Sequence, residues 1–156
     1  MITLKPVTEQ EKKLLWNINQ KYLYEMSQYY PEDLDEEGNL HYGYFDAYFT
    51  DPERKAYLIY DGRCLVGFAM LNPYSYIGHC PDSVIAEFCV FPPYRRQHIA
   101  AKAFECILRK HPGRWEIKFN ENNRGAKCLW EKATQKYNPV FHRLNDEETV
   151  IEFSNC

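Results

Sequence analysis

The chain has 156 residues, a net charge of −3 and 16% aromatic residues, among them 13 Tyr, 9 Phe and 3 Trp. That length fits a single domain over residues 1–156, and the aromatic content excludes a disordered chain. The acidic balance gives no general affinity for nucleic acid, and the apolar runs are too short to span a membrane.

The N-terminus, Met1-Ile-Thr-Leu-Lys-Pro, lacks a secretory pattern, so a cytoplasmic location is expected. Ile2–Lys5 reads as a short strand. Thr8 and Glu11 form a capping box that starts a helix. Leu14, Leu15, Ile18, Tyr22 and Met26 follow at helical spacing, which predicts one buried face. Pro31 ends that helix. An acidic loop and a short helix near His41–Phe49 come next. Tyr57–Tyr60 and Cys64–Leu71 are β-rich runs joined by Asp61-Gly62, a strong hairpin signal. Asn72–Asp82 reads as a loop.

Val84–Phe91 is a buried strand that runs into Pro92-Pro93. Roughly Gln97–Lys110 is a helix, expected to be mostly buried because only Lys102, Glu105 and Arg109 make a polar stripe. His111-Pro112-Gly113 stops it. Trp115–Phe119 is a strand, and Asn122-Asn123 caps a helix carrying Ala126, Leu129, Trp130 and Ala133. Asn138-Pro139 ends that helix, and Val140–Leu144 and Thr149–Phe153 are the last strands. This order predicts an α/β (α+β) chain with a mixed sheet. The cysteines (Cys64, Cys80, Cys89, Cys106, Cys128 and Cys156) show no metal-ligand spacing, and several sit in apolar stretches. They are expected as reduced core thiols, and no metal site is predicted, His79-Cys80 included.

The strand–turn–helix at 83–101 carries the clearest chemical signal. A strand breaking into a helix start presents free N–H groups and the positive end of the helix dipole, which suits phosphate. The spacing Val90-x-Pro92-x-Tyr94-Arg95-x-x-His98-x-Ala100 resembles motif A of the GNAT N-acetyltransferases, whose pattern is Arg/Gln-x-x-Gly-x-Gly/Ala. Arg95 and Ala100 fit, whereas His98 stands where glycine is usual. Asn123-x-x-Ala126-x-x-Leu129-Trp130-x-Lys132 resembles the family's second cofactor helix.

The resemblance implies the GNAT fold, about six to seven strands flanked by about four helices. It implies an acyltransferase that moves acetyl from acetyl-CoA, as co-substrate, to a small-molecule or peptide amine. Phe88, Cys89 and Val90 would hold the pantetheine arm. Arg95, Arg96, Gln97, His98, Ile99, Ala100 and Ala101 would hold the pyrophosphate, with Asn123 and Trp130 on the second helix. Glu87, a carboxylate in an apolar strand, would be the base or hold a water for that role. Trp130 replaces the tyrosine that often protonates the leaving thiolate, and an indole N–H is no acid at neutral pH.

The stretch from Glu25 to Glu53 has acids and tyrosines but no Lys or Arg. In the family it forms the variable acceptor wall, so Tyr24, Tyr29 and Tyr30 are expected to meet a small cationic acceptor through charge and cation–π contact. A solvated acidic loop explains most of the same residues. Two alternatives remain open: a degenerate module that binds CoA without transfer, favoured by His98 and Trp130, and a surface that docks a basic partner. The C-terminal strands offer a pairing edge for a homodimer.

Overall fold

The computed structural model describes residues 1–156. The N-terminal half builds an antiparallel meander from β1 (Ile2–Pro6), β2 (Lys55–Asp61), β3 (Cys64–Asn72) and β4 (Ser83–Val90). Asp61-Gly62 makes the expected hairpin turn, with Gly62 at φ 60. β5 (Arg114–Asn120) pairs parallel to β4, and the hairpin of β6 (Val140–Arg143) and β7 (Glu148–Ser154) completes the sheet. The seven strands run in the order β1-β2-β3-β4-β5-β7-β6. The helices are α1 (Lys12–Met26), α2 (Ala47–Thr50), α3 (Ile99–Lys110) and α4 (Arg124–Thr134).

The expected mixed sheet with four helices is present, and several local expectations need correction. The Thr8–Glu11 box forms, with the Thr8 N–H donating to Glu11 at 3.0 Å, but it opens a 3-10 turn over Glu9–Glu11 before α1 begins. Leu14 is 36% exposed; the buried stripe runs through Leu15, Ile18 and Asn19, about 100° around the helix from Leu14. The helix expected near 41–49 shrinks to Ala47–Thr50, after a run of turns through Gly43.

α3 buries one face only, through Ile99, Ala103, Phe104, Ile107 and Leu108. The opposite face is exposed from Ala101 to Lys110, so the helix is amphipathic rather than mostly buried. All six cysteines are free, and only Cys89 is buried. The apolar runs that suggested core thiols are therefore covered on one side only.

Two cores flank the sheet. On one face α3 and α4 pack Phe104 and Trp130 against Trp115, Ile117 and Phe153. On the other face α1 and the 45–49 segment bring Leu15, Ile18, Phe45 and Tyr48 onto Leu58, Phe68, Met70 and Cys89. The 73–82 loop is strapped over the second face. Buried Glu116 accepts from Ser75 Oγ at 2.5 Å and from the Tyr76 N–H at 2.8 Å. Glu152 accepts from His79 Nδ1 at 2.6 Å and His142 Nε2 at 3.0 Å. No helix is long and apolar enough to cross a membrane.

The sheet opens between β4 and β5. β4 and β5 pair only from Ser83↔Trp115 to Ile85↔Ile117. Met70 then faces Glu87 while Leu71 faces Ile85, so Ala86 is the extra residue of a bulge in β4. Past that bulge, Glu87–Val90 and Lys118–Asn120 share no ladder, and the strands part.

Candidate active site

Residues 96–101 form the floor of the opening. Arg96 (φ 63) and His98 (φ 62) both take the left-handed backbone conformation. The expected helix therefore starts at Ile99 rather than Gln97, with His98 as its N-cap. No backbone N–H from Arg96 to Ala101 donates within the protein, and no side chain caps α3. These N–H groups lie at the positive end of the α3 dipole, an arrangement that fits a pyrophosphate. His98 thus reproduces the glycine geometry at a cost of about 1–2 kcal/mol of backbone strain, and its ring is exposed.

A cleft of about 1020 Å³ leads from this turn between α3 and α4. It is lined by Phe88, Cys89, Val90, Arg95, Arg96, His98, Ile99, Ala100, Ala101, Asn123 and Trp130. Gln97 lies outside the lining and holds the Pro93 carbonyl at 3.4 Å. Asn123 caps α4, its Oδ1 accepting from the Ala126 N–H at 3.1 Å. Trp130 is buried edge-on between Phe88 and Phe104, with centroids 5.1 Å apart in each case. It is a wall of the cleft. A second depression of about 770 Å³ lies beside α4 and β6, and neither Glu87 nor any turn residue lines it.

Arg95 has a role its position in the motif did not suggest. Its Nη1 and Nη2 donate to Glu25 at 2.7 Å each, and its Nε donates to the Val90 carbonyl at 2.7 Å. The bidentate pair ties α1 to the end of β4. Arg95 is a strut between the turn at 92–98 and α1, which leaves Arg96 as the free guanidinium at the turn. Glu25 in turn is held below its usual pKa by that pair.

Glu87 sits past the bulge on the face opposite α3. Its side chain keeps some solvent contact, yet dense packing dominates its electrostatics. Burial pushes its carboxyl up to about 7, against the opposing pull of the Tyr22 hydroxyl, Lys118 and the Tyr42 hydroxyl. No side chain makes an ordinary hydrogen bond to it, although the Tyr22 and Tyr42 hydroxyls lie close enough to stabilise its charged form. Glu87 lies close enough to raise the pKa of Tyr22, Tyr30, Tyr42, Tyr48 and Tyr76, each already raised mainly by burial. All five stay neutral hydroxyls around a carboxyl poised near neutrality. Burial also pushes the Cys89 thiol up to about 11, so no thiolate nucleophile stands beside Glu87.

The structure distributes the expected acceptor wall differently. Tyr30 lies near Glu87, its hydroxyl donating to Glu148 at 2.9 Å. Tyr29 lines the cleft between α3 and α4 instead. Tyr24 is 67% exposed and lines neither. Tyr22, Tyr42, Tyr48 and Tyr76 were missed because they come from two helices and two irregular segments with no shared periodicity. Of the acids of 25–53 only Glu25 lines the cleft, where it pairs with Arg95. Asp46 pairs with Lys12, Asp51 pairs with Arg54, and Asp35 closes its own turn. Glu32, Asp33, Glu36, Glu37 and Glu53 face solvent, as the solvated-loop reading has it.

The profile of the acetyltransferase (GNAT) family matches residues 15–134. Among solved structures, the chain is similar to the spermidine N-acetyltransferase of Vibrio cholerae in complex with CoA and spermine, with a TM-score of 0.68, 15% identity, and coverage of 98% of this chain and 95% of that one. An acetyltransferase of Thermus thermophilus gives a TM-score of 0.69 at 18% identity over 99% and 97% of the two chains. The ribosomal-protein-S18-alanine N-acetyltransferase of Escherichia coli gives 0.63 at 11% identity over 99% and 94%. At these identities the likeness is one of fold. No curated protein matches the chain.

Proposed function

The chain belongs to the GNAT acetyltransferase family, and on that basis we propose that it moves acetyl from acetyl-CoA to a primary amine by direct attack within a ternary complex. The observation that carries this reading is the parting of β4 from β5 at Ile85↔Ile117. It leaves the phosphate turn and cleft on one face and Glu87 on the other. Acetyl-CoA supplies the thioester. The N–H groups of residues 96–101 and the Arg96 guanidinium hold its pyrophosphate, and Phe88–Val90 line its pantetheine arm.

Glu87, as carboxylate, takes a proton from the acceptor's ammonium, directly or through one water. The neutral nitrogen forms the amide bond as the carbon–sulfur bond breaks. The nitrogen's second proton leaves to solvent and the CoA thiolate takes a proton from water, so one proton is released overall. Trp130 supplies none. The buried, high-pKa Cys89 disfavours a route through an acyl-cysteine. Similar folds act on acceptors as different as spermidine and an S18 alanine, so the fold leaves the acceptor open. The five tyrosines around Glu87 favour a small cationic amine through cation–π contact.

A calorimetric titration tests the cofactor half. Acetyl-CoA should bind the wild type one to one; because the ligand-free chain already holds His98 left-handed, His98→Gly should bind it with similar affinity and melt somewhat higher by relieving that strain. No heat and no thermal stabilisation of the wild type would overturn the reading. Weaker binding by the glycine variant would show that the imidazole itself helps hold phosphate.

A further inference from the structure

We propose that Asn120 and Lys118 form a carbonyl-binding subsite beside Glu87. The acceptor is then an α-ammonium compound with a carbonyl or carboxylate oxygen next to its amine. This inference rests on the acetyltransferase reading above and names the substrate class of that same site.

Asn120 is the last residue of β5 and only 3% exposed. Its Oδ1 accepts from the Asn122 N–H at 2.9 Å, which fixes the direction of the amide. Its Nδ2 is buried and has no hydrogen-bond partner in the protein. It lies near the Tyr30 hydroxyl, but without the geometry of a bond. Leaving a buried donor unpaired is unfavourable, and a bound oxygen would remove that penalty.

The neighbours of Asn120 suit an oxygen-bearing ligand. Lys118 lies two residues back, on the same face of β5. Its ammonium stands 4.7 Å over the Tyr76 ring and 2.9 Å from Glu148. Glu148 is the cross-strand partner of Asn120 and also accepts from the Tyr30 hydroxyl. This frame holds the Lys118 charge beside the orphan amide.

Both residues lie past Ile117, where β5 no longer pairs with β4, and Glu87 lies past the matching point of β4. Paired strands are about 4.8 Å apart, and here they are wider. Hydrogen bonds of about 3 Å from each wall can then hold one compact unit, its nitrogen at Glu87 and its oxygen at Asn120. A polyamine brings no oxygen. It leaves Asn120 Nδ2 unpaired and sets a second cation against Lys118.

The test compares kcat/KM, corrected for amine ionisation, across alaninamide, alanine, isopropylamine and spermidine. Isopropylamine has the skeleton of alaninamide without the carbonyl. Alaninamide should exceed it by about 10–100-fold. Alanine against alaninamide distinguishes a free amino acid from a peptide N-terminus. In Asn120→Ala the alaninamide-to-isopropylamine ratio should fall to within about threefold. Asn120→Asp, which puts an acceptor where the donor was, should lower the ratio further and covers the case in which the alanine variant does not fold. Acetylation of all amines without preference for the carbonyl, or a uniform loss across amines in the variants, overturns this inference and leaves the enzyme reading intact. Acetyl-CoA binding with no amine acetylated overturns both.

Discussion

Replacing Glu87 with Gln is expected to lower kcat/KM for amine acetylation by about 10²–10⁴-fold at pH 8, the usual contribution of a positioned base. The pH profile separates this role from a structural one. Glu87 works as the carboxylate, and burial sets its pKa at about 7. Wild-type kcat/KM should therefore fall roughly tenfold per pH unit below that value. Glu87→Gln should lose this limb and keep the one from the acceptor amine near pH 10.

Stability should move the other way. The folded-state pKa of about 7 lies above the unfolded value near 4.5, so the folded protein binds this proton more tightly. That contribution is fully present below about pH 4.5 and is lost as pH rises through about 7. Allowing for the residual solvent contact of Glu87, Glu87→Gln should exceed the wild type by on the order of 2 kcal/mol at pH 8. The two should melt alike near pH 4. A variant with unchanged turnover and an unchanged acid limb would remove Glu87 from the mechanism.

Gly67→Ala is expected to be the most damaging single methyl in the chain. Gly67 on β3 pairs with Val90 on β4. A Cβ there would stand 2.1 Å from the Cys89 carbonyl oxygen and 3.1 Å from the Val90 Cα. The obstacle is backbone within a hydrogen-bonded ladder, so no side-chain rotation relieves it. The added methyl should cost at least about 3 kcal/mol, a fall in Tm of about 6–12 °C. The strand that must move is the one that presents Phe88–Val90 to the cleft, so acetyl-CoA affinity should fall as well. Thermal melts with and without acetyl-CoA check both effects. A variant with wild-type Tm and affinity would show that β3 and β4 are not held as closely as this pairing requires.

The sequence was most legible where neighbouring residues decide the outcome. Apolar alternation and Asp61-Gly62 specify the hairpin, Thr8 with Glu11 specifies a helix start, and Pro92-Pro93 ends a buried strand. The break from strand into helix at 92–99 was legible for the same reason, although His98 hid the left-handed backbone that glycine would have announced. What escaped depends on long-range contacts. Arg95 is a strut because Glu25 reaches it from 70 positions away. Asn120 acquires its significance only once β5 leaves β4. The tyrosines around Glu87 are gathered from α1, α2 and the loops beside them. The acids of 25–53 illustrate the converse: their run in the sequence suggested a cation site, but Lys12, Arg54 and solvent take them up elsewhere in the fold.

The central claim is that this opened sheet transfers acetyl to an amine, and the most direct measurement is amine-dependent release of free CoA thiol from acetyl-CoA. With a panel spanning simple amines, amino acid amides, peptides and polyamines, thiol release should require both protein and amine and should match the amide formed one for one. Saturable acetyl-CoA binding with no thiol released above background for any amine would contradict the account. It would leave a module that binds the cofactor without using it.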